Sequence, residues 1–322
     1  MSLTAAERRQ FQEEGWVMKP GVLDDADLEP VRRGLHAAVD REARRARQEG
    51  LVDETFPDAP FDRRLALLAE RWPDHLARIM APVNSGRFAG PELFHTITHP
   101  RLLAVVEAFV GERIIGSSVY RVRPKLPRWE RGEVPWHQDS GYFLPHCDDL
   151  LVLTCWIPLI DVSVENGCLW VVPRGHRNGV HRHYTGGHGG YLEIPGRVPG
   201  AEPIPVPMKR GDVLFLTNLT PHASFENHSD QVRWSLDLRY QGAEAPNNVG
   251  EDPAACTPER DPVTMACYPP EADFVIRDPR APESECRTAE EFCALRERFF
   301  ETRAFMPGRG WTPLASRGPA GD

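Results

Sequence analysis

Apolar residues recur at three- and four-residue steps through the first third of this chain and alternate with polar residues after it. Thr4 and Glu7 fit a capping box, and Phe11 supplies the apolar contact of a first helix that stops near Gly15. Gly15 to Leu23 reads as a short strand and turn. Asp24 or Asp25 then caps a second helix whose stripe is Leu28, Val31, Leu35 and Val39. The composition turns charged from Arg41 to Gly50, and Pro57 and Pro60 punctuate Leu51 to Phe61, which predicts a surface loop here. Arg63 to Met80 and Pro100 to Phe109 read as further helices, with Leu65, Leu67, Leu68, Leu102, Leu103, Val105, Val106 and Phe109 as core candidates.

After Gly111 the pattern changes to short β-like runs. These are Ile114 to Val122, Val134 to Asp139, Leu150 to Leu159, Leu169 to Val172, Ile204 to Met208, Asp212 to Leu216, His222 to Phe225 and Val232 to Tyr240. Turn-forming stretches separate them, among them Glu165-Asn166-Gly167 and Arg210-Gly211-Asp212. Short strands at this spacing predict an antiparallel sandwich or jelly roll in a β-rich α+β chain. We read residues 1–322 as a single domain, with 1–110 a mainly helical flank, 111–241 the jelly-roll core and 242–322 a C-terminal extension. One helix is expected in that extension, from about Thr288 to Phe300.

Composition narrows the partners. The chain has 322 residues, with Lys+Arg 38 against Asp+Glu 47 and a formal net charge of -9. Nucleic acid and anionic lipid are therefore poor partners, and a small molecule is expected, with homo-oligomerisation left open. No apolar run approaches the roughly 18 to 20 residues that span a bilayer, and the N-terminus lacks a signal-peptide pattern, so a cytoplasmic location without membrane attachment is expected. The seven cysteines include no Cys-x-x-Cys pair and read as reduced thiols.

The candidate chemistry centres on Trp136-His137-Gln138-Asp139-Ser140-Gly141-Tyr142-Phe143. On an extended strand, positions two apart share a face, so His137 and Asp139 can grip one divalent ion. A second histidine would complete the two-histidine, one-carboxylate face of non-haem iron sites. His146-Cys147-Asp148 sits in a loop, and His181 and His183, with His188 nearby, lie in a glycine-rich stretch that reads as a mobile flap with solvated histidines. His222 follows an apolar strand and a turn, which makes it the better third ligand. In the last strand, Arg233, Ser235, Asp237 and Arg239 alternate with Trp234, Leu236, Leu238 and Tyr240. If the polar face points inward, Arg233 is buried; its fork suits a dicarboxylate, or it pairs structurally with Asp237 or Asp139. Arg121, Arg123, Lys125, Arg128 and Arg131 read as a solvated basic strand, with reception of an anionic group as the alternative.

Taken as a set, Pro135-Trp136-His137-Gln138-Asp139, Glu165 to Pro173, Gly211-Asp212-Val213-Leu214, and His222 followed by Arg233 resemble the phytanoyl-CoA dioxygenase family of Fe(II)- and 2-oxoglutarate-dependent oxygenases. Phe11 to Val17 also looks like that family's opening. The resemblance implies a double-stranded β-helix of cupin-like type. It further implies His137, Asp139 and His222 as iron ligands, and Arg233 as the seat of the distal carboxylate of 2-oxoglutarate. Ser224 or Ser235 would add a hydroxyl, and Lys125 and Trp156 would line that pocket. Gln138, Tyr142 and Phe143 are candidate substrate contacts, and the 181–191 segment a wall or lid. The implied reaction consumes O₂ and releases succinate and CO₂ while oxidising a C–H bond. Asp139 favours hydroxylation, because halogenating relatives carry a small apolar residue there. Pro173-Arg174-Gly175-His176 departs from the family's common Pro-Gly-Ser-His turn, which weakens any transfer of substrate contacts. Two rival readings stand: a non-catalytic jelly-roll binding protein, and a zinc hydrolase, since two histidines and an aspartate also hold zinc with an open position.

Overall fold

The computed structural model describes residues 2–84, 86–300 and 309–316. Helix α1 (Ala5–Glu14) has the expected capping box on Thr4 and ends at Gly15, whose φ of 83° suits a residue without Cβ. Strand β1 (Trp16–Lys19) follows, then α2 (Asp25–Gln48), capped by Asp24. The loop expected from Arg41 is helix as far as Gln48. Ala43 and Ala46 are buried and continue the stripe of Leu28 to Val39, so the charged residues occupy only the outward face, where Arg44 pairs with Asp40. The helix expected over Arg63 to Met80 is interrupted. α3 (Phe61–Arg71) stops before Pro73, whose missing N–H and fixed φ suit a helix start, and α4 (Leu76–Met80) resumes after a 3₁₀ turn. Two more helices, α5 (Pro91–Ile97) and α6 (Pro100–Val110), complete the flank. No helix among the described residues is long and apolar enough to cross a membrane.

The remaining strands are β2 (Ile114–Lys125), β3 (Val134–His137), β4 (Leu153–Pro158), β5 (Leu169–Val171), β6 (Ile204–Val206), β7 (Val213–Leu216), β8 (His222–Ser224), β9 (Arg233–Gly242) and β10 (Phe274–Arg277). They form two antiparallel sheets, one ordered β1-β7-β4-β9-β2-β10 and the other β3-β8-β5-β6. Both edges of the larger sheet come from outside 111–241, β1 from the helical flank and β10 from the extension. The three-part division drawn on the sequence is therefore too sharp: flank and extension are part of the sheet. The extension's helix is α7 (Ala289–Phe299), capped by Thr288. Residues 301–308 and 317–322 of the extension lie outside the described residues.

Helices α2 to α6 cover one face of the larger sheet. Trp234, Leu236, Leu238 and Tyr240 of β9 join Leu28, Leu35, Leu65 and Val105 in that core, each fully buried side chain contributing roughly 1.5–3 kcal/mol. The alternate residues of β9 face the second sheet. There Arg233, Asp237 and Arg239 line a cavity of about 660 Å³. The fold thus packs its larger apolar core on the helical side and sets the charges of β9 facing the second sheet, beside a smaller apolar cluster that includes Trp156, Leu169 and Leu214.

Candidate metal and co-substrate site

His137 is the last residue of β3, and Gln138 remains extended at φ -115° and ψ 145° before a 3₁₀ turn over Asp139–Gly141. The alternation therefore outlasts the strand, and Asp139 shares a face with His137 although it is no longer a strand residue. β8 pairs with β3 in a register that sets His222 opposite His137. One ligand atom from each of His137, Asp139 and His222 lies within 4.8 Å of the others, and all three residues are buried.

The rings are oriented by their own backbone. His137 Nδ1 lies 2.9 Å from the Pro135 carbonyl and His222 Nδ1 lies 2.9 Å from the Thr220 carbonyl. A carbonyl can only accept, so both Nδ1 atoms carry the proton and both Nε2 atoms present a lone pair. Burial, with the His222 ring beside it, holds the His137 imidazole well below its ordinary pKa, in the neutral form a metal needs. Burial would raise the Asp139 carboxyl, but the Arg239 guanidinium outweighs it and keeps the group ionised. Arg239 Nη2 donates to Asp139 Oδ1 at 2.7 Å and Nε to Oδ2 at 3.2 Å, while the Thr154 hydroxyl donates to Oδ2. Two neutral nitrogens and one anionic oxygen converging from buried side chains suit a divalent transition metal.

Along the same cavity wall, the Arg233 guanidinium is 2% exposed. It donates to Ser235 Oγ at 2.5 Å and Ser224 Oγ at 3.1 Å, and lies 5.3 Å from the centroid of the Trp156 ring. Neither structural partner foreseen for it is used, since Asp139 pairs with Arg239 and Asp237 with Arg123. No carboxylate among the described residues reaches Arg233, and its Nε has no partner. Burial pushes its pKa down to about 10. Lys125 is also buried; it donates to the carbonyls of Ser224 and Phe225 at 2.7 and 2.6 Å, and burial followed by Arg233 pushes its pKa well down. Ser224 stands two residues along β8 from His222, about 7 Å.

Three expectations are corrected. Gln138 is fully buried and turned away from the cavity: its amide donates to the carbonyls of Gly179 and Leu219 and accepts from His181 N, so it is a cross-brace and not a substrate contact. His183 is not solvated. It is 0% exposed, with Nδ1 donating to the His181 carbonyl and Nε2 accepting the Gln138 N–H at 3.0 Å. The basic strand is largely consumed inward, Arg121 by Glu271 and Arg123 by Asp237, with only Arg128 and Arg131 exposed. Tyr142 and Phe143 do line the cavity, and so does Tyr191 of the glycine-rich segment, whose hydroxyl accepts from Arg123 at 3.3 Å.

Sequence reasoning missed Arg239 and Thr154 around Asp139, and Asn218, which accepts from Val152 N and donates to Ser140 Oγ and the Cys147 carbonyl. It also missed the far C-terminus. Arg309 Nε donates to the Ser140 carbonyl at 2.9 Å, Trp311 Nε1 to the Gly141 carbonyl at 2.8 Å, and the Trp311 ring lies 5.4 Å from that of His183. Gly141 allows this close packing, because a Cβ there would come within 2.6 Å of His183 Nε2.

Residues 11–235 match the model of the Phytanoyl-CoA dioxygenase (PhyH) family. Peroxisomal phytanoyl-CoA dioxygenase of Homo sapiens is 24% identical over 251 residues, covering 75% of this chain and 69% of that protein. Phytanoyl-CoA dioxygenase domain-containing protein 1 of Bos taurus is 26% identical over 266 residues, covering 72% and 87%. Among solved structures, the apo form of the non-heme monooxygenase ThoJ matches with a TM-score of 0.52 at 16% identity, covering 90% of this chain and 96% of that one. That last likeness speaks for the fold.

Proposed function

Because the chain belongs to the phytanoyl-CoA dioxygenase family, we propose that it is an Fe(II)- and 2-oxoglutarate-dependent oxygenase that hydroxylates a C–H bond of a small molecule. The observation that carries this reading is Arg233, a buried guanidinium with two serine hydroxyls and no carboxylate, on the wall of the cavity that also holds the His137, Asp139 and His222 cluster. Arg233, Ser224 and Ser235, with the Trp156 ring beside the guanidinium, would hold the far carboxylate of a dicarboxylate entering from the cavity.

His137, Asp139 and His222 would hold the iron, and the iron with 2-oxoglutarate and O₂ supplies the oxidising power, yielding succinate and CO₂. The protein's part is positioning. The Pro135 and Thr220 carbonyls fix the ring tautomers; Arg239 and Thr154 keep Asp139 ionised and oriented; Tyr142 and Phe143 wall the cavity on the substrate side. Asp139 would occupy the coordination position that a halide would otherwise need, which favours hydroxylation over halogenation.

Anaerobic titration with Fe(II) and 2-oxoglutarate tests the reading. The wild-type protein should develop the visible charge-transfer band of an iron-chelated keto acid. His137→Ala should lose the band by losing metal, and Arg233→Ala should need much more 2-oxoglutarate to form it. A wild-type protein that binds metal tightly and gives no band would refute the oxygenase and favour a zinc hydrolase or a binding protein.

A further inference from the structure

Residues 309–316 lie well beyond residue 235, where the family match ends, yet they touch both the turn that carries Asp139 and the glycine-rich wall of the cavity. At one end Arg309 Nε donates to the Ser140 carbonyl, Arg309 pairs with Asp148, and Trp311 Nε1 donates to the Gly141 carbonyl. The Trp311 ring also rests against that of His183, whose Nε2 accepts the Gln138 N–H. Positions 138, 140 and 141 are thus held by this segment, directly or at one remove. His137 and His222 stand on paired strands, whereas Asp139 lies in the turn after β3. Asp139 is therefore the member of the cluster whose placement depends most on such outside support.

At its other end the segment pairs with the wall as an added strand. Thr185 N donates to the Thr312 carbonyl at 3.0 Å and Leu314 N to the Thr185 carbonyl at 2.8 Å, which sets Thr185 and Pro313 in a parallel bridge. Arg182 Nη2 adds a bond to Thr312 Oγ1 at 3.0 Å. Tyr184 pairs with Glu193, and Gly187 N donates to the Tyr191 carbonyl, so residues 184–193 double back on themselves. Tyr191, near the bend, lines the cavity with its hydroxyl on Arg123, and Arg123 pairs with Asp237 of β9. This stretch of wall is moored to the larger sheet through Tyr191 and to the C-terminal segment through Thr185.

Resting on the oxygenase reading, we infer that residues 309–316 are a strap that couples the metal centre to the wall carrying Tyr191. Arg309, Trp311 and His183 are positioning residues for Asp139, and the main chain of Thr312 and Leu314 passes that position on to 184–193. The coupling is reciprocal: whatever metal binding gains from a seated strap, the strap gains from bound metal. Filling the metal site therefore tightens the wall. Loosening the strap from the wall weakens a metal site that the loosened residues do not touch.

The test uses the full chain with Mn(II) alone, reading metal affinity by calorimetry and amide hydrogen exchange over 184–193 by mass spectrometry. In wild type, Mn(II) should slow exchange in that stretch about tenfold. Arg309→Leu combined with Trp311→Phe should bind Mn(II) at least about tenfold more weakly, having lost two hydrogen bonds. At saturating Mn(II) its wall should gain no protection. Leu314→Pro is the discriminating variant. It removes the N–H that donates to the Thr185 carbonyl, leaves Arg309 and Trp311 in place, and puts proline at the first position of the 3₁₀ turn Leu314–Ser316, where it fits. It should still weaken Mn(II) several-fold, whereas a segment that merely covers the surface would leave that affinity at the wild-type value. Wild-type affinity in Leu314→Pro, no Mn(II)-dependent protection in wild type, or protection that persists in the double variant would each overturn the strap. The anaerobic chromophore with Fe(II) and 2-oxoglutarate is read separately. If it forms while any of these results appears, the strap alone falls; if Mn(II) binds with the expected protection and no chromophore forms, the oxygenase reading alone falls.

Discussion

Replacing Arg233 with methionine should make the apoprotein more stable while abolishing co-substrate binding. Burial lowers the Arg233 pKa from the ordinary guanidinium range to about 10, which corresponds to about 3 kcal/mol. The sign follows from both states being protonated at pH 7. The unfolded chain carries the charge in water and the folded chain carries it buried, so the penalty is fully present at neutral pH and is relieved only as pH rises past about 10. Methionine keeps much of the aliphatic stem and removes the charge. It forfeits the hydrogen bonds to Ser235 and Ser224, roughly 1 kcal/mol each, although Ser224 Oγ keeps its bond to the Gly167 carbonyl. The balance is a gain of about 1 kcal/mol, or a rise in Tm of a few degrees. Thermal and denaturant unfolding, with and without Mn(II) and 2-oxoglutarate, would measure it. Wild type should gain about 2.7 kcal/mol when 2-oxoglutarate stands at 100 times its Kd, and Arg233→Met should gain almost nothing. An apo variant clearly less stable than wild type, or one that 2-oxoglutarate stabilises as well as wild type, would refute the claim that Arg233 is a charge waiting for a carboxylate.

Arg239→Met should act in the opposite direction, costing the apoprotein about 3–5 kcal/mol by leaving Asp139 buried beside only the Thr154 hydroxyl; saturating Mn(II) should narrow that gap in unfolding experiments, and a gap indifferent to metal would contradict the role assigned to Asp139. Burial lowers the His183 pKa from 6.5 to about 4. The unfolded chain therefore binds the proton first, and stability should fall as pH drops from about 6.5 to 4, by up to about 3 kcal/mol. In His183→Gln that slope should be shallower, and an unchanged acid-unfolding profile would count against it. Trp311→Phe removes the donor to the Gly141 carbonyl and should raise the metal Kd several-fold, about 1 kcal/mol, whereas an unchanged Kd in metal titration would leave the tail a mere cover.

What could be read from the chain follows the range over which its signals act. Capping boxes and apolar stripes are local, so Thr4, Asp24 and Thr288 mark their helices correctly, and alternation finds β2 to β9. Where a local signal is overruled the cause is visible. The charges of Arg41 to Gln48 hide a helix whose buried side is made of alanines, and Pro73 cuts a helix that periodicity alone would run through. β10 lies in Pro-rich surroundings, apart from the regular succession of β2 to β9, and so does not stand out. In the site, His137, Asp139, His222 and Arg233 were legible because they sit at motif spacing. Arg239 was within reach, since it shares the polar face of β9 with Arg233, but nothing in the alternation said which arginine would meet Asp139. That choice depends on strand register. The misreading of Gln138 came from counting neighbours in sequence: on extended backbone the residue between two ligands points away from them. Arg309 and Trp311 had no signal at all, being more than 160 residues from the carbonyls they meet.

The contact of Arg309 and Trp311 with the backbone just after Asp139 also sets an order of events during synthesis. By the time His222 has left the ribosome all three side chains of the His137, Asp139 and His222 cluster are outside, yet Ser140 and Gly141 still lack the donors that hold them. β10, which closes one edge of the larger sheet, comes later still, and Trp311 after it. A nascent chain can thus gather a metal loosely long before it can hold one in final geometry. Final geometry at the cluster then waits on Arg309 and Trp311, which act as its latch.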